Sequence, residues 1–454
     1  MNKIFSSCCI VITAYCLVAY GYPDTLWTRT YGGSANEVAY SVCNTHEGGF
    51  MVAGLTVTFG SGPQDVYVVK IDAYGDTLWT RVYGGSSYEA AHGVCVTSDS
   101  CYVVAGYTES FGGGGKDIYL LKLDADGVIQ WTKTYGGSLQ DCAYSVCETQ
   151  DSGLVVVGYK NGPSGWVKGD LWILRMDSFG DTVWTKTYGG TGQDYGVSVQ
   201  ETSDGGFIIA GINSSESAGG KDVWLVKTDA FGDTAWTQIY GGALEDVGYD
   251  ARMTADNGYI VTGYINGTGE WTAGDLWLLK TDATGDTAWT RVYGGSGEDF
   301  GFTVFPTYDN GYIIGGTRAT SGGDMWLLKT DALGDTVWTQ KYGGAGHESS
   351  LGLVVTSDSG YVVAGHTSSF GAGAIDFYVV RTEPDLKVAE QNERTKHRHF
   401  VASTIIRGPI TLPKDRDCTL FDISGREVDV HHLLPGIYFI LIDNRIIEKI
   451  IKIR

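Results

Sequence analysis

The stretch "DTLWTRTYGG", residues 24–33, decides the fold, because it returns six times and its first copy stands alone. The later copies are "DTLWTRVYGG", "VIQWTKTYGG", "DTVWTKTYGG", "DTAWTQIYGG", "DTAWTRVYGG" and "DTVWTQKYGG", and each of them follows a strand-like segment. Their tryptophans, Trp27, Trp79, Trp131, Trp184, Trp236, Trp289 and Trp338, are 52, 52, 53, 52, 53 and 49 residues apart. A period near fifty, rich in Gly and aromatic residues, points to a propeller or a solenoid. Within one period, alternation and turn chemistry mark four strands: "EVAYSVCNT" (a), "GFMVAGLTV" (b), "DVYVVKID" (c) and "DTLWTRVYG" (d). Four antiparallel strands per unit make a propeller blade.

The strand count chooses between ring and open stack. Strand c occurs seven times, opening at Asp65, Asp117, Asp170, Asp222, Asp275, Asp324 and Asp376, and the seventh, "DFYVVRTEPD", has no Trp strand after it. One d strand is missing at the end and one is spare at the beginning. A ring in which residues 25–31 pair with 376–382 repairs both faults and leaves no exposed edge there. An open solenoid would need polar caps instead. The expectation is an all-β chain: a seven-bladed β-propeller over 24–383 closed by its N-terminal strand, a linker at 384–400, and a small C-terminal β-sandwich at 401–454.

Thirty-two basic against 53 acidic side chains give a formal charge of −21. An acidic body repels phosphate backbones, so no nucleic-acid partner is expected. The first 21 residues, "MNKIFSSCCIVITAYCLVAYG", carry one Lys, an apolar run and small residues at Ala19 and Gly21. They read as a secretory signal cleaved near Gly21, with an uncleaved anchor as the alternative. In an exported chain Cys95 and Cys101, flanking one turn, could pair. Cys43, Cys95 and Cys147 share one repeat position and read as small buried residues. A monomer is expected.

Three resemblances follow from quoted motifs. The pattern "KTDAxGDTxW", with pairs such as Gly75/Trp79 and Gly232/Trp236, resembles the tryptophan-docking motif of quinoprotein-type propellers. It implies blade packing, and no quinone. The turns "TSDGG" (202–206), "TSDSG" (356–360) and "TADNG" (254–258) look like the start of the Asp-box of sialidase-type propellers. There the Asp caps amides and the Gly accepts positive φ. The tail holds Asp422, Ser424, Gly425 and Arg426, then Pro435, Gly436, Ile437 and Tyr438, then Lys449 and Lys452. It resembles the C-terminal sorting domain of the type IX secretion system. That resemblance implies the type IX machinery as partner, and a secreted or surface location on a Gram-negative bacterium.

Two features could carry function. Ten residues after each repeat Trp stands an acid: Glu37, Glu89, Asp141, Asp194, Asp246, Asp299 and Glu348. A ring of seven carboxylates would repel and raise one another's pKa unless backbone amides or a cation relieved them, and calcium is the cofactor it would suit. The b–c loops "NGPSGWVKGD" (161–170) and "NGTGEWTAGD" (266–275) place Trp166 and Trp271 outside the scaffold pattern, beside Asn161 and Asn266. Exposed Trp beside amides suits a sugar ring or a protein contact. HExxH, GxSxG and Walker motifs are missing from the sequence. The expectation is therefore a binding module for an extracellular glycan or protein, with a glycan-active hydrolase or lyase at the propeller axis as the alternative.

Overall fold

The computed structural model describes residues 22–163, 169–267, 274–295, 297–319 and 322–385 of the ring. Beyond the ring it describes 402–407, 418–422, 428, 436–442 and 445–453. The ring is a seven-bladed β-propeller, and each blade is a four-stranded sheet in the order a-b-c-d. Blade one is Glu37–Asn44, Phe50–Thr56, Asp65–Ile71 and Thr77–Tyr83. Its b and c strands are buried along their whole length, while the d strand keeps an exposed face. Middle strands packed on both faces by neighbouring blades need continuous apolar runs, which "FMVAGLT" and "DVYVVKI" supply.

The spare opening phrase closes the circle. Thr25–Tyr31 pairs antiparallel with Asp376–Thr382, with Thr28 opposite Val380 and Thr30 opposite Tyr378. Trp27 and Tyr31 are buried in one cluster that joins blade seven to blade one.

Six of the seven d-strand Trp side chains dock on the c–d turn of the following blade. Trp27 Nε1 donates to Ala73 O at 3.0 Å, and Trp79 Nε1 does the same to Ala125 O. Gly75, at φ +80°, lies against the Trp27 ring, so a side chain there would be strained and would crowd the indole. Blade seven has no such turn. Trp338 Nε1 donates instead to Asp385 Oδ2 at 3.1 Å, and the Tyr361 hydroxyl meets the same oxygen. Asp385 is buried, so the ring runs two residues past the boundary read at 383.

Residues 387–454 make up a second unit. Its described strands form one sheet, ordered Ala402–Arg407, Arg445–Ile453, Gly436–Ile442, Cys418–Asp422. The first pair is parallel and the others antiparallel. The second layer that a sandwich needs is not among the described residues. Gly436 and Tyr438 lie on one strand and Lys449 and Lys452 on its neighbour, while Gly425 and Arg426 fall outside the described residues.

Cys95 lies opposite Val103, not Cys101, and both cysteines are free.

Candidate functional site

Strand a is innermost in every blade, so the face that starts strand a, where the d–a and b–c loops meet, holds the acids singled out in the sequence. All seven are almost completely buried. Each one staples the loops around it. Glu37 accepts from Gly33 N–H, Thr58 N–H and the Thr56 hydroxyl. Asp141 accepts from Gly137 and Asn161, Asp246 from Gly242 and Asn266. Burial by itself would raise the Glu37 and Glu348 carboxyls, but these amides and hydroxyls outweigh it and both titrate below the usual range. For Asp141, Asp246 and Asp299 burial prevails and the pKa is raised.

The like charge facing each acid is not another member of the ring. It is the first Asp of strand c in the preceding blade. A Cβ on Gly84 would meet Asp65 Oδ1 at 2.0 Å and Glu89 Oε2 at 2.6 Å, and the same pair brackets Gly32, Gly136 and Gly343. Only a CH₂ fits between the two carboxylates. Burial and then Glu89 raise Asp65, and Oδ1 of Asp65, Asp222, Asp275 and Asp376 has no hydrogen-bond partner.

This gives a direct test. Asp65→Asn keeps an acceptor for Gly62 N–H and adds an amide donor toward Glu89. A carboxyl with a raised folded pKa favours the fold when protonated and loses that contribution as pH rises through the folded pKa. Asp65→Asn is therefore expected to stabilise the ring by about 1 kcal/mol at pH 7, with the gain fading toward pH 4. Urea melts at both pH values decide it. A variant less stable than wild type at pH 7 refutes the reading.

Among the described residues no group of three or more His, Cys, Asp or Glu side chains could hold a metal ion. The seven acids sit one per blade, each closed on its own loops, and the structure does not bring them together. Asn161 and Asn266 are brought to equivalent places. Both adopt left-handed backbone, at φ 61° and 62°, which presents their N–H groups to the buried acid and leaves the side chains exposed. Trp166 and Trp271 lie outside the described residues. A cleft of about 500 Å³ opens beside Asn161, between blades three and four, lined also by Pro163, Asp170, Thr191, Gln193 and Ser214.

Two features escaped the sequence reading. Every a strand carries a bulge, and the bulged residues are Tyr40, His92, Tyr144, Val197, Tyr249, Phe302 and Leu351. Bulges re-aim side chains. His92 aside, these residues share one apolar cluster drawing on all seven blades, which places it at the axis. His92 joins it through Tyr40 and Tyr144, with ring centroids 4.8 and 5.1 Å away. The signal was there: Trp + 13 is the one position in strand a that mixes large rings with a His.

The second feature is a basic residue five places after each strand-c Asp: Lys70, Lys122, Arg175, Lys227, Lys280, Lys329 and Arg381. Each one pairs with the acid of its own blade's a–b turn. In those turns the Asp caps as expected, Asp204 accepting from the Thr202 hydroxyl and Gly206 N–H. The positive φ falls on the residue after the Asp, which is Gly205 in one copy but Asn257 and Ser359 in others. The final Gly serves close approach instead, since a Cβ on Gly206 would meet Thr228 O at 2.1 Å.

No family model matches the chain. It is 25% identical to the regulatory protein FlaEY of Caulobacter vibrioides over 43% of this chain and 24% of FlaEY, so it spans about a quarter of that relative's length. Among solved structures, the WD40 domain of Neurospora crassa Pan2 superposes with a TM-score of 0.51 at 12% identity, covering 79% of this chain and 94% of that one. The periplasmic gluconolactonase PpgL of Pseudomonas aeruginosa gives 0.47 at 12% identity, covering 74% and 96%. At such identity the Pan2 likeness speaks for the propeller fold alone.

Proposed function

We propose that the chain is an exported binding module whose ring contacts an extracellular glycan on the face of the d–a and b–c loops. One observation carries the reading. The regular polar residues are consumed within the scaffold, whereas uncharged amide and hydroxyl groups gather where the repeat is irregular. Asn161, Thr191 and Gln193 line the cleft between blades three and four, beside Ser214, whose hydroxyl is held by the Gln193 backbone. Amides and hydroxyls in a shallow cleft suit sugar hydroxyls, and Trp166 and Trp271 in the two irregular loops would add ring-face stacking. The apolar stretch at 1–21 and the sorting-domain motif in the tail support export, with the type IX machinery as the transporting partner.

A glycan array with the full chain tests this. Gln193→Ala with Thr191→Ala, and separately Trp166→Ala with Trp271→Ala, are expected to weaken the strongest signal by about ten-fold or more while leaving the melting curve in place. No binding by wild type, or equal binding by both double variants, refutes the proposal. Release of shortened sugars from the bound glycan would favour the hydrolase or lyase reading.

A further inference from the structure

Blade seven breaks the repeat on the same face. Its b strand carries His366, one residue before its end, where the other blades place Leu55, Tyr107, Tyr159, Ile212, Tyr264 and Thr317, as their pairing with strand a shows. Its d–a loop carries His347 where the others have Asn36, Tyr88, Gln140, Gln193, Glu245 and Glu298. The two imidazoles meet. His366 Nε2 lies 3.3 Å from His347 Nδ1, and the rings stack at 5.3 Å between centroids with planes 16° apart. Around them the apolar collar gives way to hydroxyls: Thr317 Oγ1 and Ser349 Oγ are 2.6 Å apart, and His347 N–H donates to Ser368 Oγ.

A structural role would satisfy both nitrogens of a largely buried imidazole. Here His366 Nδ1 is buried without a partner, and Nε2 has only the other histidine. Two nitrogens 3.3 Å apart stand at the spacing of two ligands bound at about 2.0–2.1 Å to a tetrahedral ion. His347 is exposed, so water can reach the remaining positions.

We propose that His347 and His366 form a binding site for a divalent first-row transition metal of the zinc type, held by two imidazole nitrogens with exchangeable positions open to solvent. The site is independent of the glycan reading, because no residue of the blade three–four cleft takes part. Imidazole pairs suit zinc and copper, and do not suit calcium or magnesium.

The test is Zn²⁺ titration by calorimetry on the metal-stripped full chain. His397, His399, His431 and His432 are replaced by Gln throughout, so that tail histidines do not contribute. One equivalent is expected, with affinity falling by about ten-fold or more in His347→Ala and likewise in His366→Ala. Calcium should give no heat. Since His366→Ala opens space beneath the loop, His347→Gln serves as the second variant; it should keep the wild-type melting temperature without metal yet lose the zinc-induced rise. Absence of stoichiometric zinc binding, or binding unchanged in His347→Gln, overturns the proposal.

Discussion

Deleting residues 24–31 from the full chain is expected to lower its melting temperature by roughly 10 °C or more and to make it self-associate. The strand removed holds Trp27 and Tyr31, 8% and 9% exposed, and aromatic truncations in cores cost about 3–5 kcal/mol each. It also leaves Asp376–Thr382 as an open edge, six of whose residues now pair with Thr25 to Tyr31. Blade one loses the indole over its c–d turn. A synthetic peptide of residues 22–33 added in trans should restore the particle size of the intact chain, since it supplies edge and indole together. Leu26→Ala is the control: that side chain is 48% exposed, and its loss should cost little. Equal melting of the deleted and intact chains, measured by calorimetry with light scattering, would remove the closure argument.

The closure was legible because it is a matter of counting: seven c strands and a d strand at the wrong end admit one ring. The acids were legible as a set because Trp + 10 is regular, but their role was not. Whether a carboxylate meets amides, a cation or another carboxylate depends on the path of two loops, and the partner that mattered, the strand-c Asp, lies nearly half a period away in sequence, as Asp65 and Glu89 do. Asp65 and Glu89 come together only through the crossover between blades. The bulges were hidden for a similar reason. An alternating pattern with one extra residue reads as a slightly longer strand, and the skip between Ala39 and Ser41 shows only against the partner strand. His347 and His366 could have been noticed as departures from the repeat at two positions, yet their meeting needs strands a and b in register. Regularity exposed the scaffold, and the departures from regularity needed coordinates.

The seven ion pairs on the opposite face are alike in chemistry and unlike in burial, which yields a sharp prediction. In blade four Lys227 is buried, but the side chain of its partner Asp204 is 63% exposed. In blade six Lys329 and Asp309 are 1% and 20% exposed, at 2.7 Å. The difference lies beside the irregular closure, where residues 383–385 stand in for a missing turn and Tyr361 feels both Asp385 and Asp309. Asp309→Ala would strand an ammonium in a site with little water, which costs about 3–5 kcal/mol. Asp204→Ala should cost about 1 kcal/mol, since water can replace the lost carboxylate. Both substitutions remove the same turn cap, from Thr307 and Gly311 in one case and Thr202 and Gly206 in the other, so the contrast isolates burial. Burial alone would raise Asp309, but the Lys329 charge outweighs it and the carboxyl titrates below its usual range. A depressed carboxyl contributes its stability above the unfolded pKa and loses it as pH falls through the folded one. The penalty of Asp309→Ala should therefore be full at pH 7 and shrink in strong acid. Adding Lys329→Met should recover most of it, because no buried charge then remains. Urea melts of the two single variants and the double variant decide the matter: equal costs for the singles, or no recovery in the double, would show that the blade-six pair is no more buried in solution than its counterparts.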